Sequence, residues 1–283
     1  AGLSTVDASG MTGGGVNVDA RGSTATGFVF KGSSAVDRVV LANTTINNSG
    51  TLAGGDGKDT LASTSFTLTA AVVNGSTGFE VLESVSPVSS LVANGFTSIS
   101  EFLFSGGANN GRIEISGVET SDRFVFSSDQ STNTGAIRFT GASIGQTVVM
   151  ELRASALANG EVTIQSNGGT SEGAVSAIAF DKITSVTIDS TGQNTNANVV
   201  EAVKGNSGGS DYTAFDNGTT FSNFVVTGTQ NLTIGATAGI ELSGNARTLG
   251  FSGAVNLNAS AFTGVLRVAG SRSDDAIAGG SGD

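Results

Sequence analysis

The chain of 283 residues has no cysteine, histidine or tryptophan, one tyrosine, one proline and two methionines. Without Cys or His there is no Ser-His-Asp triad, no Cys-His nucleophile, and no His- or Cys-ligated zinc or haem. Charge is scarce as well, at 13% of residues against a usual ~25%. The 24 acidic and 13 basic side chains sum to −11, which leaves no basic footprint for nucleic acid. No apolar run approaches the ~18 residues of a membrane span. The opening Ala1-Gly2-Leu3-Ser4 lacks the basic and apolar blocks of a signal peptide, so export would use another signal or one already removed.

Glycine fills part of that space, with 42 residues, while hydrophobic residues still reach 38%. That is enough to bury a core and unlike a disordered tail. Short segments alternate apolar with small or polar residues, each closed by Gly, Asn, Asp or Ser. Examples are FEVLESV (79–85), SEFLFSG (100–106), RIEISGV (112–118), RFVFSS (123–128), AIRFTG (136–141), EVTIQS (161–166) and SVTIDS (185–190). The series continues through NFVVTGT (223–229), NLTIGAT (231–237), GIELSGN (239–245), TLGFSGA (248–254), VNLNASA (255–261) and VLRVAGS (265–271).

Period-two segments at this spacing predict an all-β chain with little or no helix. Weak helix signals at Thr147–Asn159 and Asn198–Lys204 compete with strand alternation. A parallel β-solenoid of the β-roll or β-helix kind, with thin Val, Ile, Leu and Phe cores, fits best; an antiparallel sandwich array is the alternative. Residues 191–198 and 204–220 look like loops, the second holding Tyr212.

One segment carries chemistry. Gly54-Gly55-Asp56-Gly57-Lys58-Asp59-Thr60-Leu61-Ala62 matches the calcium-binding nonapeptide G-G-x-G-x-D-x-U-x in full. Glycine allows the left-handed turns that converge backbone carbonyls, and aspartate adds a hard anionic oxygen; Ca²⁺ takes six to eight such oxygens. The large apolar residue two positions after the aspartate, Leu61, plugs the core. By composition alone such a match arises about once in a hundred chains of this length. Degenerate copies run from Gly32 through Asp37 and from Gly270 through Asp275, and Gly279-Gly280-Ser281-Gly282-Asp283 begins another. Candidate metal residues are therefore Asp37, Gly54, Gly55, Asp56, Gly57, Asp59, Asp275, Gly280, Gly282 and Asp283. Val6-Asp-Ala-Ser-Gly-Met-Thr-Gly13 also resembles Leu257-Asn-Ala-Ser-Ala-Phe-Thr-Gly264, which suggests a superperiod of roughly 240–250 residues in a longer tandem protein. The expected organisation is one strand-rich module over 1–269 with a calcium-repeat block near 32–62, then a further block beginning at 270–283.

On GSSAVDRVVLA, LAGGDGKDTL, STGFEVLES and ANGFTSISEFLFSG, then NLTIG, IELSG and VNLNASAFTGVLRVAGS, the chain resembles bacterial S-layer and related surface proteins of the calcium-binding repeats-in-toxin group. The resemblance is specific at 32–62 and 270–283 and stylistic elsewhere. It implies type I secretion, folding in extracellular Ca²⁺, and a place at the bacterial cell surface. The expected function is a structural, non-enzymatic component that self-assembles into a lattice, with a cell-surface polysaccharide contacted through another part of the protein. A repeat module of a large secreted adhesin is the alternative. A polysaccharide-degrading β-helix enzyme is the remote one, since Glu80/Glu83, Glu114/Glu119 and Asp181/Asp189 offer carboxylate pairs but nothing groups them around one cleft.

Overall fold

Residues that alternate in sequence also alternate in burial. Along Val255–Asn258 the valine and leucine are buried and both asparagines exposed; along Ile113–Val118 the isoleucines are buried and Glu114 half-buried. The computed structural model describes residues 2–66, 68, 70–107, 113–132, 137–157, 159–166, 178–204, 221–235, 240–242, 245–247, 251–271 and 273–282. These form two compact units, one of residues 1–88 with 94–106 and one of 89–93 with 107–283.

In the first unit the early strands alternate between two parallel sheets. β1 (Thr5–Asp7), β3 (Val29–Lys31) and β5 (Leu52–Ala53) pair in one. The other joins β2 (Asn17–Asp19), β4 (Arg38–Leu41), β6 (Thr60–Ser63), β7 (Val81–Ser84) and β9 (Glu101–Phe104). Register sets Val39 beside Leu61, Leu61 beside Leu82 and Leu82 beside Phe102, and all four are 0% exposed. Each strand thus buries its apolar side chain on an apolar side chain of the next. Leu61, the apolar position of the nonapeptide, sits inside this column.

In the second unit the chain passes three parallel sheets in a repeating cycle. One holds β8 (Ser90–Val92), β10 (Ile113–Val118), β13 (Ile137–Gly141), β16 (Ile178–Asp181) and β19 (Val203–Lys204). The next holds β11 (Arg123–Phe126), β14 (Gln146–Ala154), β17 (Ile183–Gly192), β20 (Phe221–Gly228), β24 (Val255–Asn258) and β26 (Ala276–Ala278). The third holds β12 (Gln130–Thr132), β15 (Thr163–Ser166), β18 (Asn198–Val200), β21 (Leu232–Ile234) and β25 (Leu266–Val268). Columns such as Phe124, Met150, Ile188 and Val226 run through the core, and the Phe139 and Phe180 rings stack at 5.4 Å. The chain is therefore mostly β, with long parallel sheets of solenoid-like character.

Details of the winding differ from the sequence expectation. Both weak helix signals lie in strands, β14 and β18–β19, because their alternating apolar residues have neighbouring strands to bury against. The helices instead are α1 (Asn43–Asn47) and α2 (Ala70–Asn74), five residues each, at coil corners. One pair among the described strands is antiparallel, β22 (Ile240–Leu242) with β23 (Asn245–Arg247). Of the expected 248–254 strand, residues 248–250 lie outside the described residues and Phe251 makes an isolated bridge to Val203. Tyr212 and most of its loop lie outside the described residues. No helix of the described residues is long and apolar enough to cross a membrane.

The two similar stretches near Val6 and Leu257 form the same corner. Asp7 and Asn258 accept the N–H two residues on, at 3.1 and 3.0 Å. Buried Ala8 and Ala259 then accept from Met11 and Phe262 while donating to Lys31 and Ala278 on the adjacent coil. A third copy, Asp19-Ala20-Arg21, makes the same bonds. The recurrence therefore marks a coil corner within the fold.

Candidate metal centre at the nonapeptide turn

Register places the full nonapeptide directly on its degenerate copy. Arg38 pairs with Thr60 and Val39 with Leu61, so residues 32–40 and 54–62 stack position for position, with Asp37 beside Asp59. Glycine is required where the two turns touch. Gly55 has φ +109°, and a Cβ there would collide with the Ser33 carbonyl. A Cβ on Gly54 would lie 2.6 Å from Asp59 Oδ2 and closer still to the Gly78 carbonyl.

The aspartates form a ladder from coil to coil. The Val16 N–H donates to Asp37 Oδ1 at 2.5 Å, the Asp37 N–H to Asp59 Oδ1 at 2.7 Å, and the Asp59 N–H to Glu80 Oε2 at 2.9 Å. Asp37 Oδ2 also receives the Ser33 N–H at 2.5 Å, and the Ser33 hydroxyl lies 3.0 Å away. In the second unit Asp275 repeats this pattern, accepting from the Val255 and Ser271 N–H groups at 3.0 and 2.7 Å. In both degenerate copies, protein donors thus occupy both carboxylate oxygens.

Asp59 differs. Its side chain is 0% exposed, Oδ1 accepts the Asp37 N–H, and Oδ2 is buried with no partner among the described residues. In this turn Gly55, at positive φ, replaces the Ser33 that serves Asp37, so the corresponding N–H bond is not made. A buried carboxylate oxygen without a donor or cation is costly. Burial raises the Asp59 pKa, the Asp37 N–H pulls it down, and the charges of Asp37, Glu80 and Asp56 push it up again. Lys58, the only cation in the nonapeptide, turns away to Glu101 at 2.6 Å.

The other candidates are dispersed. Asp56, Gly55 and Gly57 are exposed at the tip of the turn. Asp275, Gly280 and Gly282 lie in the second unit; Gly280 approaches the Phe262 carbonyl and Gly282 the Gly264 carbonyl. Asp283 falls outside the described residues. Among the described residues no three acidic side chains converge as a metal-holding group. A cation here would therefore draw on one aspartate oxygen and, beyond it, mainly on backbone carbonyls. That donor set of hard oxygens suits Ca²⁺ rather than a transition metal.

Several other carboxylates belong to ion pairs. Glu83 is 3% exposed and is held by Arg38 at 2.6 Å and by the Ser105 hydroxyl. Arg123 bridges Glu151 and Asp189 at 2.8 and 2.6 Å. Burial alone would raise the Glu151 pKa, but hydrogen bonds from Arg153, Thr191 and Arg123 outweigh it and hold the carboxyl down to about 2. Arg138 lies 3.8 Å from Glu114 and 3.6 Å from Asp181.

This fold and this turn define a parallel-sheet protein that stacks acidic, glycine-rich corners. Compared with known protein families, curated proteins and solved structures, the chain matches none.

Proposed function

We propose that this chain is a calcium-stabilised, non-enzymatic structural module of a bacterial surface layer, secreted by a type I route and assembling with copies of itself. In this reading its coils form a β-roll-like solenoid. The observation that carries the proposal is Asp59 Oδ2, buried and unpartnered inside a complete nonapeptide stacked in register on a second copy. Ca²⁺ at that turn satisfies the oxygen and neutralises the Asp37–Asp59–Glu80 ladder. A net charge of −11 opposes association until cations screen or bridge it.

The test is a Ca²⁺ titration followed by circular dichroism, light scattering and negative-stain microscopy. The expected result is a higher melting temperature and ordered arrays at millimolar Ca²⁺, both reversed by chelation. Mg²⁺ should replace Ca²⁺ poorly, because it demands a smaller octahedral shell and sheds water reluctantly. Identical spectra with and without chelator would overturn the calcium reading. A protein that stays monomeric at high concentration in Ca²⁺ would favour the adhesin module.

A further inference from the structure

The second unit carries a groove unrelated to the nonapeptide. Two adjoining cavities of about 310 and 610 Å³ share Thr195 and Asn196 on the loop between β17 and β18. The first continues over Asn231, Thr233 and Arg267 on the neighbouring coils, and register sets Thr233 beside Arg267.

The loop that shapes the groove is fixed from below. Gln230 is 4% exposed; its Oε1 accepts the Asn194 N–H at 2.9 Å, and its Nε2 donates to the Asn194 carbonyl at 2.9 Å and to the Asn196 carbonyl. The Asn194 amide donates to the Ser155 and Leu157 carbonyls at 2.7 and 2.9 Å. A ligand therefore meets a loop already in place and does not bear the cost of ordering it.

The groove is lined by donors. Arg267 is exposed and has no carboxylate partner among the described residues, whereas Arg38, Arg123, Arg138 and Arg153 are all paired. Asn231 uses Oδ1 to accept the Val265 N–H at 2.9 Å, leaving its two amide N–H groups for a ligand. Thr195 and Thr233 add hydroxyls. The Asn196 amide reaches the Glu161 carboxylate at 3.2 Å, which puts negative charge at that end and reserves the Arg267 end for an anion. No aromatic platform lines either cavity, so recognition falls to hydrogen bonds and one charge.

We propose that this groove binds an acidic polysaccharide, with a carboxylate or phosphate oxygen seated on Arg267 and Asn231 and sugar hydroxyls on Thr195, Asn196 and Thr233. A guanidinium fork suits either oxyanion, and the hydroxyl and amide lining suits the sugar that bears it.

Isothermal titration of the whole chain at fixed Ca²⁺ tests this, using a galacturonate hexasaccharide, a phosphomannan oligosaccharide and a neutral mannan of equal length. At least one acidic glycan should bind at least tenfold more tightly than the neutral one; whichever does so identifies the source of the oxyanion. Arg267→Gln should weaken that binding about tenfold, and Lys31→Gln, an exposed cation of the first unit, should leave it unchanged. Amide shifts on titration should centre on Thr195, Asn231 and Arg267. Asp59→Asn should keep full glycan affinity, so that failure of the calcium reading and failure of this one are separable. Binding by neither acidic glycan, equal binding of the neutral one, or full affinity in Arg267→Gln would each overturn the proposal.

Discussion

Asp37 and Asp59 are adjacent, equally buried and of the same type, yet they face opposite demands. Asp37 is saturated by backbone donors, so Asp37→Asn forces an amide N–H₂ against a donor that has nowhere to turn. Each charge-assisted bond lost costs roughly 1.5–3 kcal/mol, and the melting temperature should fall with or without Ca²⁺. Asp59→Asn removes an under-satisfied charge. It should raise the calcium-free melting temperature and erase the calcium-dependent shift; a retained shift would place the ion elsewhere. Asp59→Ala should likewise weaken Ca²⁺ binding more than Asp37→Ala, which isothermal titration would compare.

The same residues set a pH dependence. A carboxylate whose pKa is raised on folding favours the folded state in acid and loses that contribution as pH rises through the raised value. Asp59 shifts in this direction, and so does Asp122, whose carboxyl burial pushes up to about 6. Glu151, held down to about 2, contributes stability above the ordinary glutamate value of 4.5 and loses it as pH falls towards 2. Calcium-free protein should therefore melt higher at pH 5 than at pH 7, as the raised carboxyls take up protons below about 6, and lower again as pH falls from 4.5 towards 2, as thermal scans across pH would show. A steady fall in stability from pH 7 to pH 5 would contradict this balance.

At the scale of the element, stability resides in columns rather than in single strands. Each strand is three to ten residues in most cases and buries little alone, but in-register stacking makes every inward residue part of a continuous row. Leu61→Ala opens a hole between Val39 and Leu82 and should cost about 2–5 kcal/mol, measured by denaturant unfolding. Gly54→Ala acts through the backbone: its Cβ would strike the Gly78 carbonyl, so the coil beginning at Gly78 must shift. The expected sign is loss of amide protection through β7 even where Leu61 packing survives.

For the whole molecule, the two units differ in how they are held. Among the described residues the buried unpartnered carboxylate oxygen lies in the first; in the second, Asp275 is satisfied by protein donors and β14, β17 and β20 run to eight to ten residues. Hydrogen exchange with chelator present should therefore lose protection first over residues 32–84, while β14, β17 and β20 keep theirs. Uniform loss across both units would mean that calcium acts on the chain as a whole.

Sequence alone determined the strand character of most segments, the identity of the inward residues, and the turn at 54–62, because alternation and glycine spacing are local properties. Strands such as β10, β17 and β24 were legible in that way. It could not separate parallel winding from an antiparallel array, since period two is the same in both; partners far along the chain decided it, as with Met150 beside Ile188. The difference between Asp37 and Asp59 was also hidden, since it rests on donors from another coil and on a positive φ at Gly55. The groove around Arg267 was missed altogether. Its residues come from three coils, and only their stacking brings an exposed arginine, an amide and two threonines to one surface.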